Sequence, residues 1–386
     1  MFSFILALTY ICFISLGLPD SLLGAAWPVM QVQMGVPVSY AGIVSLVICL
    51  NTIISSLMSN FMIHKLGIGR VIAISVATTA VALFGFSVSD QYWMLLLWAI
   101  PYGLGAGSVD SVLNNYAALH FKSQHMSWLH CMWGVGATVG PYVMGAALSG
   151  GMGWNTGYRY IAILQVILSC VLFVSLPLWK ERKVQKQEKE PTKPLTLKQI
   201  FRIPGIPEVM IAFFCGCAME TVVGLWASSY FVDQHQISTD LAATYGSLFF
   251  IGMTIGRAIS GFLTYKLNDT QMIRLGASLI GFGIIIMMLP LGIGSGIAGL
   301  VVMGLGCAPV YPCIIHSTPA HFGEENSQAI IGVQMASAYS GVLLLPPLFG
   351  LVANHLSAAL LPVYLIPVLG MMVWMHEKLV KIHPDC

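Results

Sequence analysis

Asp20-Ser21-Leu22-Leu23-Gly24 returns 200 positions later as Glu220-Thr221-Val222-Val223-Gly224. Each copy sets an acid and a hydroxyl residue inside an apolar run and closes on glycine. Outward from this pair, further matches keep the same order and nearly the same offset. Gly103-Leu104-Gly105 recurs as Gly304-Leu305-Gly306, His120-Phe121 as His321-Phe322, and Asn60 to Lys65 as Gly261 to Lys266, all at 201. Gly136, Pro141 and Gly145 pair with Gly341, Pro346 and Gly350 at 205. One match among glycine-rich apolar segments is chance, whereas an ordered series is a duplication. The chain reads as one half written twice in parallel orientation.

What the halves are made of follows from composition. Of 386 residues, 57% are hydrophobic and only 8% charged, against roughly a quarter charged in soluble domains. A membrane-crossing helix needs about 20 mostly apolar residues. Hydropathy places such runs at 3–30, 38–63, 70–88, 92–120, 126–150 and 157–178, then at 207–232, 240–265, 273–291, 294–320, 327–353 and 357–376. The expected fold is an all-α membrane protein of about twelve transmembrane helices in two pseudo-symmetric six-helix bundles. They occupy 1–179 and 207–386, joined by a polar linker over 180–206. The opening run has no basic start and no cleavage site, so it reads as a span rather than a signal peptide.

Basic residues orient the helices. Lys65, Arg70, Lys122, the linker lysines, Lys266, Arg274, Lys378 and Lys381 share one side, and only Arg159 lies on the other. Both termini and the linker are therefore expected in the cytoplasm, with the chain in the cell (inner or plasma) membrane. The sequon Asn268-Asp269-Thr270 falls on the same side. Basic residues in short loops form no nucleic-acid-binding face. The nine cysteines lack metal-ligand spacing and read as small buried hydrophobes. No catalytic or phosphate-loop motif occurs, which disfavours an ATP-driven pump or an enzyme.

Chemistry inside the spans rests on few residues. Asp20, Asp110 and Glu220 are the acids well inside them. An ionisable side chain at the bilayer centre costs roughly 2.5–3.5 kcal/mol on insertion scales, so it faces a cavity or a partner. Each is a candidate proton carrier, or else a structural acid bonded within the bundle. Asp110 and Asn114 share a helix face, while Gly103, Gly107 and Ser111 form a small-residue packing stripe. His130 and Trp133 stand one turn apart on the fifth span, and Gln334 and Tyr311 are the repeat counterparts of His130 and Asp110. Imidazole, indole, amide and phenol groups suit a hydroxylated ligand, although a satisfied buried histidine reads equally from this pattern. Trp27, Trp226 and Tyr339 are further ring platforms, the two tryptophans equally readable as interfacial. Arg257 either anchors the end of the eighth span to an acid or carbonyls, as a gate, or snorkels to the interface.

The loop Asn60-Phe61-Met62-Ile63-His64-Lys65-Leu66-Gly67-Ile68-Gly69-Arg70 resembles the signature loop of the major facilitator superfamily. Asn60 stands where that signature has Gly, and His64 where it has Asp. Gly256-Arg257 with Gly261 to Lys266 repeats the pattern, and Gly136-x3-Gly140-Pro141-x3-Gly145 resembles the superfamily's fifth-helix glycines. Within it, Asp20 late in the first span and Asp110-Ser111-x-x-Asn114 in the fourth are most similar to the fucose-permease-type sugar–proton symporters. That resemblance implies coupling at Asp20 and a proton and sugar site at Asp110. His130 and Trp133 replace that group's Gln and Asn, which bears on the identity of the sugar. In the two signature loops Lys65, Arg70, Arg257 and Lys266 are the expected gating residues.

The expected function is secondary active transport, by alternating access, of a sugar or similar small polar solute with protons, or sodium in their place. Asp110, Asn114, His130, Trp133, Tyr311 and Gln334 are the substrate candidates. The chain is expected to work as a monomer in the bilayer, without cofactor or metal. The alternative within the class is a drug or lipid exporter exchanging protons, suggested by the abundance of Met and aromatic residues. An intramembrane enzyme or a receptor fits less well, since neither a catalytic cluster nor a sizeable soluble domain is visible.

Overall fold

A computed structural model describes residues 2–20, 22–37, 40–179, 195–237 and 239–383. Most of the charged linker, 180–194, lies outside them, as does Ser21 in the first copy of the repeat. Among the described residues, twelve helices are long and apolar enough to cross a membrane. The protein is an all-α, multi-pass membrane protein. Helix is the natural outcome, because a segment in hydrocarbon must satisfy every backbone N–H and C=O internally.

The first span, Phe4–Trp27, runs along α1 (Phe2–Asp20) and α2 (Leu22–Met34). The next five are α3 (Tyr40–Leu66), α4 (Ile68–Ser87), α5 (Tyr92–His120), α6 (Ser123–Ser149) and α7 (Gly153–Val174). A four-residue helix, α8 (Leu197–Ile200), precedes the second set. That set comprises α9 (Ile206–His235), α10 (Thr239–Leu263), α11 (Asp269–Met288), α12 (Ile293–Phe322), α13 (Glu324–His355) and α14 (Leu361–Ile382). Local chemistry sets the ends. Gly323, at φ +83°, lets the chain turn between α12 and α13 in a conformation L side chains avoid. Asn268 caps α11 by accepting the Gln271 N–H at 2.8 Å, and Gln271 returns a bond to the Asn268 N–H at 3.1 Å. The sequon asparagine is thus a helix cap.

The chain divides into two compact units, Met1–Leu113 with Met132–Thr196, and Asn114–Cys131 with Leu197–Cys386. In the first, the small-residue stripe of α5 packs on α3. A Cβ on Gly103 would lie 2.8 Å from the Asn51 Cβ, and on Gly107 it would strike the Thr52 backbone. Hydroxyl groups line the same seam. Ser56 donates to the Gly107 carbonyl at 3.2 Å, Ser59 meets Ser111 at 3.0 Å, and Ser55 contacts Ser108. Ser15 on α1 donates to the Gln165 amide on α7 at 2.7 Å, and that amide returns a bond to the Ser15 carbonyl at 2.7 Å. Such polar clasps hold helices where lipid offers no hydrophobic drive between them.

The second unit shows the packing rule most plainly between α11 and α12. A Cβ on Gly276 would approach the Gly306 carbonyl to 2.6 Å, and one on Gly306 the Gly276 carbonyl to 2.6 Å. Gly283 and Gly299 repeat this reciprocal contact at 2.7 and 2.6 Å. The pairs fall one heptad apart on antiparallel helices, the spacing of left-handed packing. A larger side chain there forces the backbones apart, and overpacking of that kind costs roughly 1–3 kcal/mol.

Candidate functional site

In the first unit the polar centre is Asp20, the last residue of α1. Gly17 and Gly136 bring α1 and α6 into backbone contact. A Cβ on Gly17 would lie 2.8 Å from the Ala137 nitrogen, and one on Gly136 would lie 3.0 Å from the Leu18 nitrogen. That approach lets Trp133 on α6 reach across, and its indole Nε1–H donates to Asp20 Oδ2 at 2.9 Å. From α5 the Tyr102 hydroxyl donates to Asp20 Oδ1 at 3.3 Å. Asp110 stands two turns further along α5 than Tyr102. Asp20 itself is exposed, and among the described residues it takes neutral donors and no cation. Asp20 is thus an acid within a membrane-spanning segment, held among the described residues by neutral donors alone.

The second unit gathers a different set. His130, buried on α6, donates from Nε2 to Asn114 Oδ1 on α5 at 3.1 Å. Its ring meets Tyr311 of α12 edge-on, with centroids 4.5 Å apart. Tyr311 packs on Phe213 at 4.8 Å, and its hydroxyl reaches the Met335 sulfur at 3.1 Å. Arg257, only 4% exposed, donates from Nη1 to the His130 carbonyl at 3.4 Å. Its Nη2 lies 3.4 Å from Glu220 Oε1. Of the two readings open in sequence, the geometry is that of an anchored arginine and not a snorkelling one. Glu220 therefore has a counter-ion, unlike Asp20, its counterpart in the repeat.

The remaining sequence candidates are dispersed. Gln334 is fully buried and its carbonyl accepts from Thr318 at 3.0 Å, while its Nε2 has no hydrogen-bond partner among the described residues. Lys65 lies over the Phe61 ring at 4.3 Å, and Lys65, Arg70 and Lys266 are exposed. Trp27 is buried edge-on to Tyr92. Trp226 donates to the Pro346 carbonyl at 3.0 Å. Asp110 and Trp133 thus belong with Asp20, whereas Asn114, His130 and Tyr311 form the Arg257–Glu220 cluster.

Sequence reasoning did not single out Asp269 and His316. Asp269 accepts from Ser123 at 2.5 Å and pairs with His316 Nδ1 at 2.5 Å, while His316 Nε2 bonds the Phe121 carbonyl at 3.2 Å. Nearby, Ser327 donates to Asn115 at 2.6 Å, and the Trp128 indole donates to the Ala258 carbonyl at 3.4 Å. Residues 114–131, the corner between α5 and α6, are thereby held by α10, α11, α12 and α13 on the linker side. The available signal was His316 itself, an ionisable side chain inside an apolar run.

The sequence profile of the Major Facilitator Superfamily matches residues 9–346. The chain belongs to the Major Facilitator Superfamily. As a superfamily transporter it has relatives of more than one kind. It is 22% identical to the glucose/mannose transporter GlcP of Bacillus subtilis (strain 168) over 272 residues, 66% of this chain and 65% of that one. It is 25% identical to the quinolone resistance protein NorA of Staphylococcus aureus (strain MRSA252) over 246 residues, 62% and 61% of the two chains. In fold it resembles the fucose:proton symporter FucP of E. coli, with a TM-score of 0.74, 16% identity, and 97% and 99% of the chains covered. That likeness is one of fold, the twelve-helix fold of the superfamily.

Proposed function

We propose that this transporter carries a sugar or similar small polar solute together with protons across a cell membrane. One observation carries the reading: an acid at the end of α1, within the first span, bonded by the neutral donors Trp133 and Tyr102. A proton on this acid removes charge from within the bilayer, so protonation and conformational change are linked through the cost of an intramembrane ion. Trp133 joins coupling to recognition, because one indole bonds Asp20 and stands one turn from His130. The substrate contacts proposed are Asp110 and Asn114 on α5, His130 and Trp133 on α6, and Tyr311 on α12.

In this reading the two six-helix halves, 1–179 and 207–386, rock about the substrate, with the linker and both termini in the cytoplasm. Release of the α5–α6 corner from Asp269, His316 and Ser327 is the opening step on the linker side. Arg257, Lys65, Arg70 and Lys266 serve the gates, and Glu220 holds Arg257 in place. A second reading, export of apolar compounds in exchange for protons, draws on the likeness to NorA and on Phe213 and Met335 beside Tyr311.

Asp20→Asn tests the proposal in proteoliposomes, since an amide keeps size and hydrogen bonding but cannot bind and release a proton. Accumulation driven by a pH gradient should vanish while sugar exchange without a gradient persists. Concentrative uptake by the variant would remove Asp20 from coupling.

A further inference from the structure

α11 and α14 enclose a cleft of about 370 Å³, lined by Ile273, Arg274, Ala277, Met372, His376 and Glu377 among others. At its rim Arg274 and Glu377 form a two-pronged pair, Nε to Oε1 at 2.6 Å and Nη2 to Oε2 at 2.7 Å. Both side chains remain open, 49% and 36% exposed. Arg274 lies five residues inside the start of α11 (274 − 269), and Glu377 five residues before the end of α14 (382 − 377). At about 1.5 Å per residue, both sit about 7.5 Å inside their helix ends, on the linker side. Trp374, one turn deeper on α14, is 60% exposed, as expected of a residue at the interfacial depth. Beyond the pair, deeper along both helices, the wall is Ala277, Met372 and Val373, with Ser278, whose hydroxyl is turned back on the Arg274 carbonyl at 2.8 Å.

The cleft is therefore graded, zwitterionic at the headgroup level and apolar toward the bilayer centre. A phospholipid has the same gradient. We propose that it binds one phosphatidylethanolamine molecule. The lipid phosphate takes N–H donors of Arg274 that Glu377 leaves unused, since a guanidinium has five. The headgroup ammonium donates to the open side of the Glu377 carboxylate. Lys381, whose charge acts on Glu377, adds positive potential for the phosphate, while Lys378 is engaged by Glu208 at 2.7 Å. A choline headgroup lacks N–H donors and cannot satisfy Glu377. A glycerol headgroup carries net negative charge against that carboxylate.

Native mass spectrometry of the full chain tests this, with equal amounts of phosphatidylethanolamine, phosphatidylcholine and phosphatidylglycerol of the same acyl chains. One charge-assisted hydrogen bond should favour ethanolamine over choline roughly tenfold, or ~1.4 kcal/mol. Glu377→Gln should bring the two near parity, and Arg274→Gln should lower retention of both. Ser278→Trp fills the cleft without altering either charge and should lower retention as well. Equal retention by the native chain, a measurement that needs no variant, overturns the proposal. So does an ethanolamine preference that survives Glu377→Gln, or a preference for phosphatidylglycerol, which would indicate a site for net negative charge.

Discussion

Replacing Arg257 by Met should destabilise the protein severely, and replacing its partner at the same time should restore most of the loss. Arg257 is held in a buried setting, its side chain 5% exposed and 3.4 Å from Glu220, which is 21% exposed. Removing one member of a buried ion pair costs about 3–5 kcal/mol, because the other charge is left uncompensated. The 3.4 Å separation and the partial exposure of Glu220 set Arg257→Met near the lower end, at ~3 kcal/mol. Glu220→Gln should cost at least as much, since it strands the more deeply buried charge. The double variant removes both charges and keeps most of the volume, so it should lose only about 1 kcal/mol. The assay is equilibrium unfolding in mixed micelles with increasing denaturing detergent, followed by the fluorescence of the native tryptophans. The cycle should give a coupling of several kcal/mol. Losses that add to within about 0.5 kcal/mol would mean that the pair carries no mutual stabilisation and that Arg257 is held by other contacts.

Other outcomes concern orientation and recognition. Single cysteines at Lys189 in the linker and at exposed Met152 between α6 and α7, in a background lacking native cysteines, should react from opposite sides of sealed vesicles; reaction from one side contradicts the proposed topology. Asn114→Ala should weaken sugar binding about tenfold by removing the amide that meets a ligand hydroxyl and accepts from His130 Nε2, whereas an unchanged affinity excludes Asn114 from the site. Trp133→Phe should keep most affinity yet impair proton coupling, because the ring remains while the N–H donor to Asp20 is gone; equal loss of both would assign the indole N–H to the ligand.

Much of the fold was legible because hydropathy and duplication are local or periodic signals. The run read at 92–120 coincides with α5, Tyr92–His120, and the runs at 70–88 and 294–320 fall within two or three residues of α4 and α12. The run 3–30 corresponds to α1 and α2, which continue to Met34. Glycine spacing forecast close packing of the fourth span, and the structure supplies its partner, α3. The partners of the charged residues were less legible, because they depend on which helices touch. Trp133 meets Asp20 only because two glycines in α1 and α6 bring the backbones together. The Asp269–His316 pair depends on which loop meets which helix, and a capping sequence such as Asn268-Asp269-Thr270 carries no sign of it.

The central claim is obligatory movement of protons with a small polar solute, and flux coupling tests it most directly. Purified protein is reconstituted into liposomes that contain a trapped pH indicator, and sugars are added one at a time with no initial pH gradient. The account predicts that one or a few sugars, flowing inward, acidify the lumen, and that Asp20→Asn abolishes the acidification while sugar still binds. Sugar entry without any proton movement would contradict the account. So would proton efflux driven only by apolar compounds moving inward, which is the behaviour of an exchanger.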